Sequence, residues 1–221
     1  MGSVIGEILS NAVGVAISPL PVIAVILMLF SAKATANSVS FLLGWIIGLS
    51  VAGGVVLAIG LEASEGEPST TSGWVKIVVG VLFLGLAWRN WTSRPTGNEQ
   101  PEMPAWMATI DDFSAAKSFG LAFVLSAVNP KNLGLTIAAV VTITGSGLSS
   151  GQEIGTLAVF VAIASITVAI PVTANLILGD KAEGGLNTMK EWLVANNNVV
   201  MTVLFVVLGA KVLGAGIAIV A

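Results

Sequence analysis

The sequence predicts an all-α integral membrane protein. Six transmembrane helices form two inverted three-helix repeats, with the first and fourth helices broken. Three observations carry that expectation. First, 55% of the 221 residues are hydrophobic and 10% are charged, at a mean hydropathy of +0.96. An ordinary soluble domain is about 45–50% apolar and about 25% charged, so this chain has too little polar surface to cover a core in water. Second, six apolar runs lie near residues 8–30, 38–60, 74–91, 116–143, 154–178 and 199–220, where a spanning helix needs about 20 apolar residues. Third, the first and fourth runs carry prolines at mid-length beside polar residues, in Ser18-Pro19-Leu20-Pro21 and Asn129-Pro130-Lys131-Asn132.

Each run is too long for a strand and lacks two-residue alternation, so a transmembrane barrel is excluded; an open sheet would leave its edges unpaired in lipid. The loops set the orientation. With the N-terminus outside, the inner connections hold Lys33, Arg89, Arg94, Lys117, Lys181 and Lys190, and the outer ones hold Lys76 beside Glu62, Glu65 and Glu67. That asymmetry follows the positive-inside rule and places both chain ends outside. Trp74, Trp88, Trp91, Trp106 and Trp192 fall at predicted headgroup depth, as an aromatic belt requires, while Trp45 falls within a span. Met1-Gly2-Ser3-Val4-Ile5-Gly6-Glu7 has no positive region and no cleavage site, so it does not read as a removable signal peptide.

Taking the elements in order, residues 1–94 form the first three-helix repeat. In its second span, Gly44, Gly48 and Ala52 make a small-residue stripe, a packing face within the monomer or between protomers. Residues 95–115 form an inner-face loop, opened by Arg94-Pro95-Thr96-Gly97-Asn98. Its amphipathic segment places Met103, Trp106, Met107, Ile110 and Phe113 at helical spacing beside Asp111 and Asp112. Residues 116–221 form the second, inverted repeat. Gly145, Gly147 and Gly151 read as an outer turn, since no strand precedes them and a phosphate-binding lysine is missing. Pro171 reads as a kink near the inner end of the fifth span. Leu186, Met189 and Leu193 make a second amphipathic piece, lying on the membrane or serving as a gate or docking surface. Asn196, Asn197 and Asn198 are N-cap material for the sixth helix.

The halves align on Pro19 and Pro130, and again on Val81-Leu82-Phe83 with Val203-Leu204-Phe205. In both, a cation follows six residues after the phenylalanine, Arg89 and Lys211. Three helices per half is an odd number, so the second half enters the membrane upside down, the layout of transporters whose sites lie at the midplane between broken helices. The segment Ile17-Ser18-Pro19-Leu20-Pro21-Val22-Ile23, the Asn129-Pro130-Lys131 tripeptide and this 3+3 layout resemble the lysine exporter superfamily, most closely its peptidoglycolipid addressing, or sulfolipid-addressing, proteins. The resemblance implies an inner-membrane exporter with a cell-envelope glycolipid as cargo. Pro19-Leu20-Pro21 stands where the amino-acid exporters have Pro-Gly-Pro, which argues against an amino-acid substrate.

The substrate-binding candidates are Ser18, Pro19, Leu20, Pro21, Asn129, Pro130, Lys131 and Asn132, with Lys211 secondary. Pro19, Pro21 and Pro130 lack an N–H and free the carbonyls of Val15, Ile17 and Ser126. They also push Ser18, Leu20 and Asn129 out of helical geometry. Lys131 sits at mid-span, where a cation costs about 2.5–3.5 kcal/mol, and no carboxylate lies within any span. Its two readings are an anion ligand and a cap on freed carbonyls. Lys211 either snorkels outward or faces the cavity.

With no Cys and no His, disulfides, thiol relays and the commonest metal ligand are absent, so no cofactor or metal is expected. A hydrolase lacks its groups, and no enzyme activity is expected. Nine Lys+Arg without a basic cluster argue against nucleic-acid binding. The expected partners are the bilayer and an amphipathic or anionic substrate, with a homo-oligomer and envelope-lipid biosynthesis proteins at the inner face as further candidates. The runner-up functions are export of a small solute, such as an amino acid or organic anion, and a non-transporting scaffold for envelope-lipid machinery.

Overall fold

A computed structural model describes residues 1–59, 70–94 and 105–221. All six apolar runs are helical, and no strand occurs among the described residues. The helices are α1 (Gly2–Ala16), α2 (Pro19–Leu29), α3 (Ala34–Ile59), α4 (Thr70–Thr92), α5 (Ala115–Phe123), α6 (Pro130–Thr144), α7 (Ser150–Leu178) and α8 (Glu183–Val220). A 3₁₀ segment, Ala105–Asp112, precedes α5, and a π turn, Val124–Val128, joins α5 to the break before α6. Ala34–Ile59 and the 71-residue stretch Ser150–Val220 are long and apolar enough to cross a membrane. The bent pairs α1–α2 and α5–α6 raise the count to four if each is one span.

Both expected breaks are present, with bends of 53° for α1–α2 and 57° for the fourth run. Their cause is local. A residue before proline is driven out of the helical region, and Ser18 (φ −134, ψ 88) and Asn129 (φ −57, ψ 121) both leave it. Leu20, expected to leave it too, stays helical, because Pro21 falls in the first turn of α2, where a backbone N–H has no intrahelical partner to lose. Pro171 breaks nothing: α7 runs through it from Ser150 to Leu178.

The chain divides into two compact units. The first comprises Met1–Ala63 and Met103–Trp192, the second Ser64–Glu102 and Leu193–Ala221. In the first unit α3 lies against α5, and the small-residue stripe makes that contact within the monomer. A Cβ on Gly44 would strike the Phe119 carbonyl, and one on Gly48 would strike the Ser126 hydroxyl and crowd Phe123. Glycine is required there because the backbones approach too closely for a side chain. Trp45, fully buried, donates its indole N–H to the Ala164 carbonyl of α7 at 3.3 Å, which accounts for a tryptophan away from the headgroup belt. The other described tryptophans are exposed or half-buried.

The 3₁₀ segment packs against α2 and buries Met107 and Ile110. It is thus held by protein, with Asp111 and Asp112 exposed; Met103 and residues 95–98 lie outside the described residues, as do Glu62, Glu65 and Glu67. Gly147 takes a positive φ of 67° in the expected turn between α6 and α7, and Ser149 and Gln152 close a capping box at the start of α7.

In the second unit α4 pairs antiparallel with the C-terminal part of α8. Gly80 meets Leu213, Gly216 meets Gly73 and Ile77, and the rings of Phe83 and Phe205 stack at 5.8 Å. One expectation is corrected here. Asn196, Asn197 and Asn198 cap nothing, because α8 begins thirteen residues earlier, at Glu183, and runs through them. The amphipathic piece around Leu186 and the last apolar run are one continuous helix. Asn198 instead donates to the Ser93 carbonyl at 2.8 Å, tying α8 to the end of α4.

Candidate functional site at the two helix breaks

The breaks meet inside the first unit, where the second repairs the first. A helix end leaves its last carbonyls without intrahelical donors, and the two prolines of α2 remove two donors that would have continued α1. Val13 O is taken by the Ile17 N–H at 2.9 Å. Gly14 O accepts from Lys131 Nζ at 3.0 Å. Val15 O accepts from the Ser18 hydroxyl at 2.6 Å. Ala16 O accepts from the Ser18 N–H at 2.8 Å and from Thr167 Oγ1 of α7 at 2.7 Å. Ile17 O accepts from Lys131 Nζ at 2.9 Å. Every carbonyl from Val13 to Ile17 has a donor.

Lys131 supplies the charged part of this knot. Its ammonium reaches 117 residues back along the chain to Gly14. Its third contact is Ser18 Oγ at 2.7 Å. Because Ser18 spends its one hydroxyl proton on Val15, it meets the ammonium as an acceptor. Three N–H donors therefore face three acceptors, and the half-buried lysine is neutralised by oriented dipoles. Among the described residues no carboxylate hydrogen-bonds to it. These contacts are the ones a cap on freed carbonyls makes.

The second break is repaired locally. In a π turn the donor lies five residues ahead of its acceptor, and the Asn129 N–H donates to Val124 O at 3.1 Å in this way. The next carbonyl, Leu125, would need an N–H on Pro130; Asn132 Nδ2 supplies the donor instead, at 2.9 Å. Asn129 Oδ1 accepts from the Lys131 backbone N–H at 3.0 Å and caps α6. Asn132 Oδ1 also lies 3.5 Å from Ser18 Oγ, so it touches both breaks.

Of the expected site residues, Ser18, Lys131 and Asn132 come together and Asn129 stands beside them. Pro19 and Pro21 are buried in the first turn of α2, Pro130 is exposed, and half-buried Leu20 takes no part in the hydrogen bonding. Lys211 is exposed and belongs to the second unit, which holds none of the other candidates. Sequence reasoning missed Gly14, whose contribution is a backbone carbonyl, and Thr167. The signal for Thr167 was present: a hydroxyl inside an apolar span must find an acceptor, and its neighbours Ile166 and Val168 offer none from their side chains.

Long apolar helices, with polar side chains gathered where two bent pairs break, define a membrane protein with a buried polar centre. The chain matches the family described as Sap, sulfolipid-1-addressing protein, over residues 8–218, and it belongs to that family. No significant match is found among the curated proteins or among solved structures.

Proposed function

We propose that this protein is a secondary exporter in the inner membrane, moving a cell-envelope glycolipid or related amphipathic anion by alternating access at the paired breaks. The carrying observation is the repair of the first bend by the lysine of the second. A scaffold has no need to place a lysine, two carboxamides and a serine where two spans lose their backbone hydrogen bonds. Parting of the two breaks would free donors in Lys131 and acceptors in the Gly14 and Ile17 carbonyls, which are bonded to each other in this structure, a mixture suited to a hydroxyl-rich headgroup. The family's description supplies the lipid class.

In this reading six spans form two inverted repeats, with both chain ends outside, and cargo crosses without chemical change. Three observations support the repeat. The bends are nearly equal. The third helix of each half packs antiparallel to its counterpart. The aligned residues Phe83 and Phe205 stack on each other, as equivalent residues beside a two-fold axis do. Comparative profiling of surface lipids and exported solutes, with and without the gene, tests the function. Loss of a surface glycolipid with precursor retained inside is expected; an unchanged surface with a retained small anion would move the assignment to a small-solute exporter.

A further inference from the structure

We infer that the ammonium of Lys131 is the site of the coupling ion, and that this ion is a proton. The inference rests on the exporter reading and names its co-substrate. A lysine ammonium carries three N–H groups, and here three acceptors surround it: Gly14 O at 3.0 Å, Ile17 O at 2.9 Å and Ser18 Oγ at 2.7 Å. The neutral amine has two N–H groups and a lone pair. It cannot serve all three, and the lone pair would face an oxygen. Ser18 can turn its hydroxyl to the lone pair only by releasing Val15 O, so the count of donors still falls one short. Loss of one proton therefore orphans one acceptor whichever way the amine turns. The bond between α1 and α6 is a latch whose closed state requires the proton.

Among the described residues, the surroundings leave Lys131 alone in this role. It is the one charged residue of α6, and α3 and the π turn carry none. The other elements packed against α6 are α1 and α7. On α1 the charged side chain is Glu7, seven residues before Gly14, or about 10 Å along the helix. On α7 it is Glu153, fourteen residues before Thr167, or about 21 Å. Lys117 of α5 is exposed, near the start of its helix.

The cycle balances with one proton and no redox change. With Nζ protonated, the α1 carbonyls are occupied and the site is closed to cargo. Release of that proton to water on the inner side frees Gly14 O or Ile17 O, which then accepts from a hydroxyl of the cargo headgroup. Uptake of a proton from the outer side rebuilds the ammonium, which recaptures the carbonyls and displaces the cargo. Proton and cargo compete for the same acceptors, and that competition is the basis of exchange.

The chain has no cysteine, so a pair introduced at exposed positions of the two latched helices, Leu9→Cys on α1 and Ala138→Cys on α6, carries spin labels without background. Their separation is measured by electron paramagnetic resonance, using the full chain in phosphatidylglycerol/phosphatidylethanolamine vesicles, from about pH 5 to about pH 10. One distance is expected at the acid end. A second should grow with pH, the ratio of the two changing about tenfold per pH unit while one proton is exchanged. Lys131→Met should show the second distance at every pH, and Lys131→Arg, charged throughout, should remove the pH response. A wild-type distance that ignores pH, or a response unchanged in Lys131→Met, overturns the inference. Lipid profiling separates this from the exporter reading. A pH-driven opening with unchanged surface lipids and unchanged exported solutes in the deletion strain sinks the exporter and keeps the proton site. Lost lipid export with no pH response does the reverse.

Discussion

Removing Lys131 and Ser18 singly and together tests whether the knot at the first break is energetically one unit. Lys131→Met keeps most of the stem and deletes the ammonium. It strands Gly14 O and Ile17 O, the two carbonyls that Nζ holds at 3.0 and 2.9 Å. A buried polar group left unsatisfied costs about 1–3 kcal/mol, so two cost about 4 kcal/mol. Against that, removing a cation from mid-membrane returns about 2.5–3.5 kcal/mol. The net effect is a destabilisation of about 1 kcal/mol, far less than the loss of two hydrogen bonds alone suggests. Ser18→Ala strands Val15 O and deletes the third acceptor of the ammonium, costing about 1–3 kcal/mol. Because Ser18 Oγ and Nζ touch at 2.7 Å, the double variant should depart from additivity by about 1 kcal/mol or more, within the usual 0.5–3 kcal/mol for residues in one network. The assay is reversible unfolding in mixed micelles, followed by fluorescence of fully buried Trp45. Additivity to within about 0.5 kcal/mol would mean that the two side chains do not share a network, and the repair scheme would fall.

Three further outcomes follow from the same structure. Gly44→Ala and Gly48→Ala should each cost about 1–3 kcal/mol through overpacking, because the new methyl meets α5 backbone or the Ser126 hydroxyl. Gly54→Ala on the same helix meets nothing within 4 Å and should stabilise by about 0.5–1 kcal/mol, so melting curves should move in opposite directions. Single cysteines at Gly2 and Ala221 should react with an impermeant reagent in intact cells, and one at Thr96 should not; labelling of Thr96 from outside would reverse the topology. Leu20→Ala should reduce export less than Lys131→Ala, because Leu20 holds the aligned position without entering the hydrogen-bond network; equal losses would take the specific role from Lys131.

Much of this architecture was readable because its causes are local. Proline geometry forces the breaks at Ser18 and Asn129, so two prolines with polar neighbours foretold both bends. The glycine stripe on α3 announced a close approach, though period alone could not say that α5 is what approaches. The partners of Lys131 were only half legible. Pro21 frees the Ile17 carbonyl by a rule that can be read from the chain, whereas Gly14 enters through tertiary placement, and one turn of helix is indistinguishable in sequence from the next. The misreading of Asn196–Asn198 has the same origin. Asparagine favours caps because its side chain competes for nearby backbone groups, and that preference is overridden where Asn198 finds the Ser93 carbonyl across the helix pair.

The two breaks diverge in chemistry while matching in geometry, and that divergence explains why the lysine is tolerated. At the first break, Pro19 and Pro21 remove two backbone donors, leaving an excess of carbonyls at the end of α1. At the second, the residues aligned with Leu20 and Pro21 are Lys131 and Asn132, which add donors. The deficit at the first break is met by the surplus at the second, so the first break is not satisfied by its own segment alone. A cation at mid-membrane is expensive when its only alternatives are lipid or water; here the cost is offset because the same ammonium satisfies carbonyls that would otherwise be stranded. Each liability compensates the other only while α1 and α6 are together. Separating them exposes three acceptors and a charge at once, so any state in which the helices part must bring water, cargo or a change of protonation to the gap. That requirement follows from the hydrogen-bond count and ties the opening of the site to the chemistry of whatever enters it.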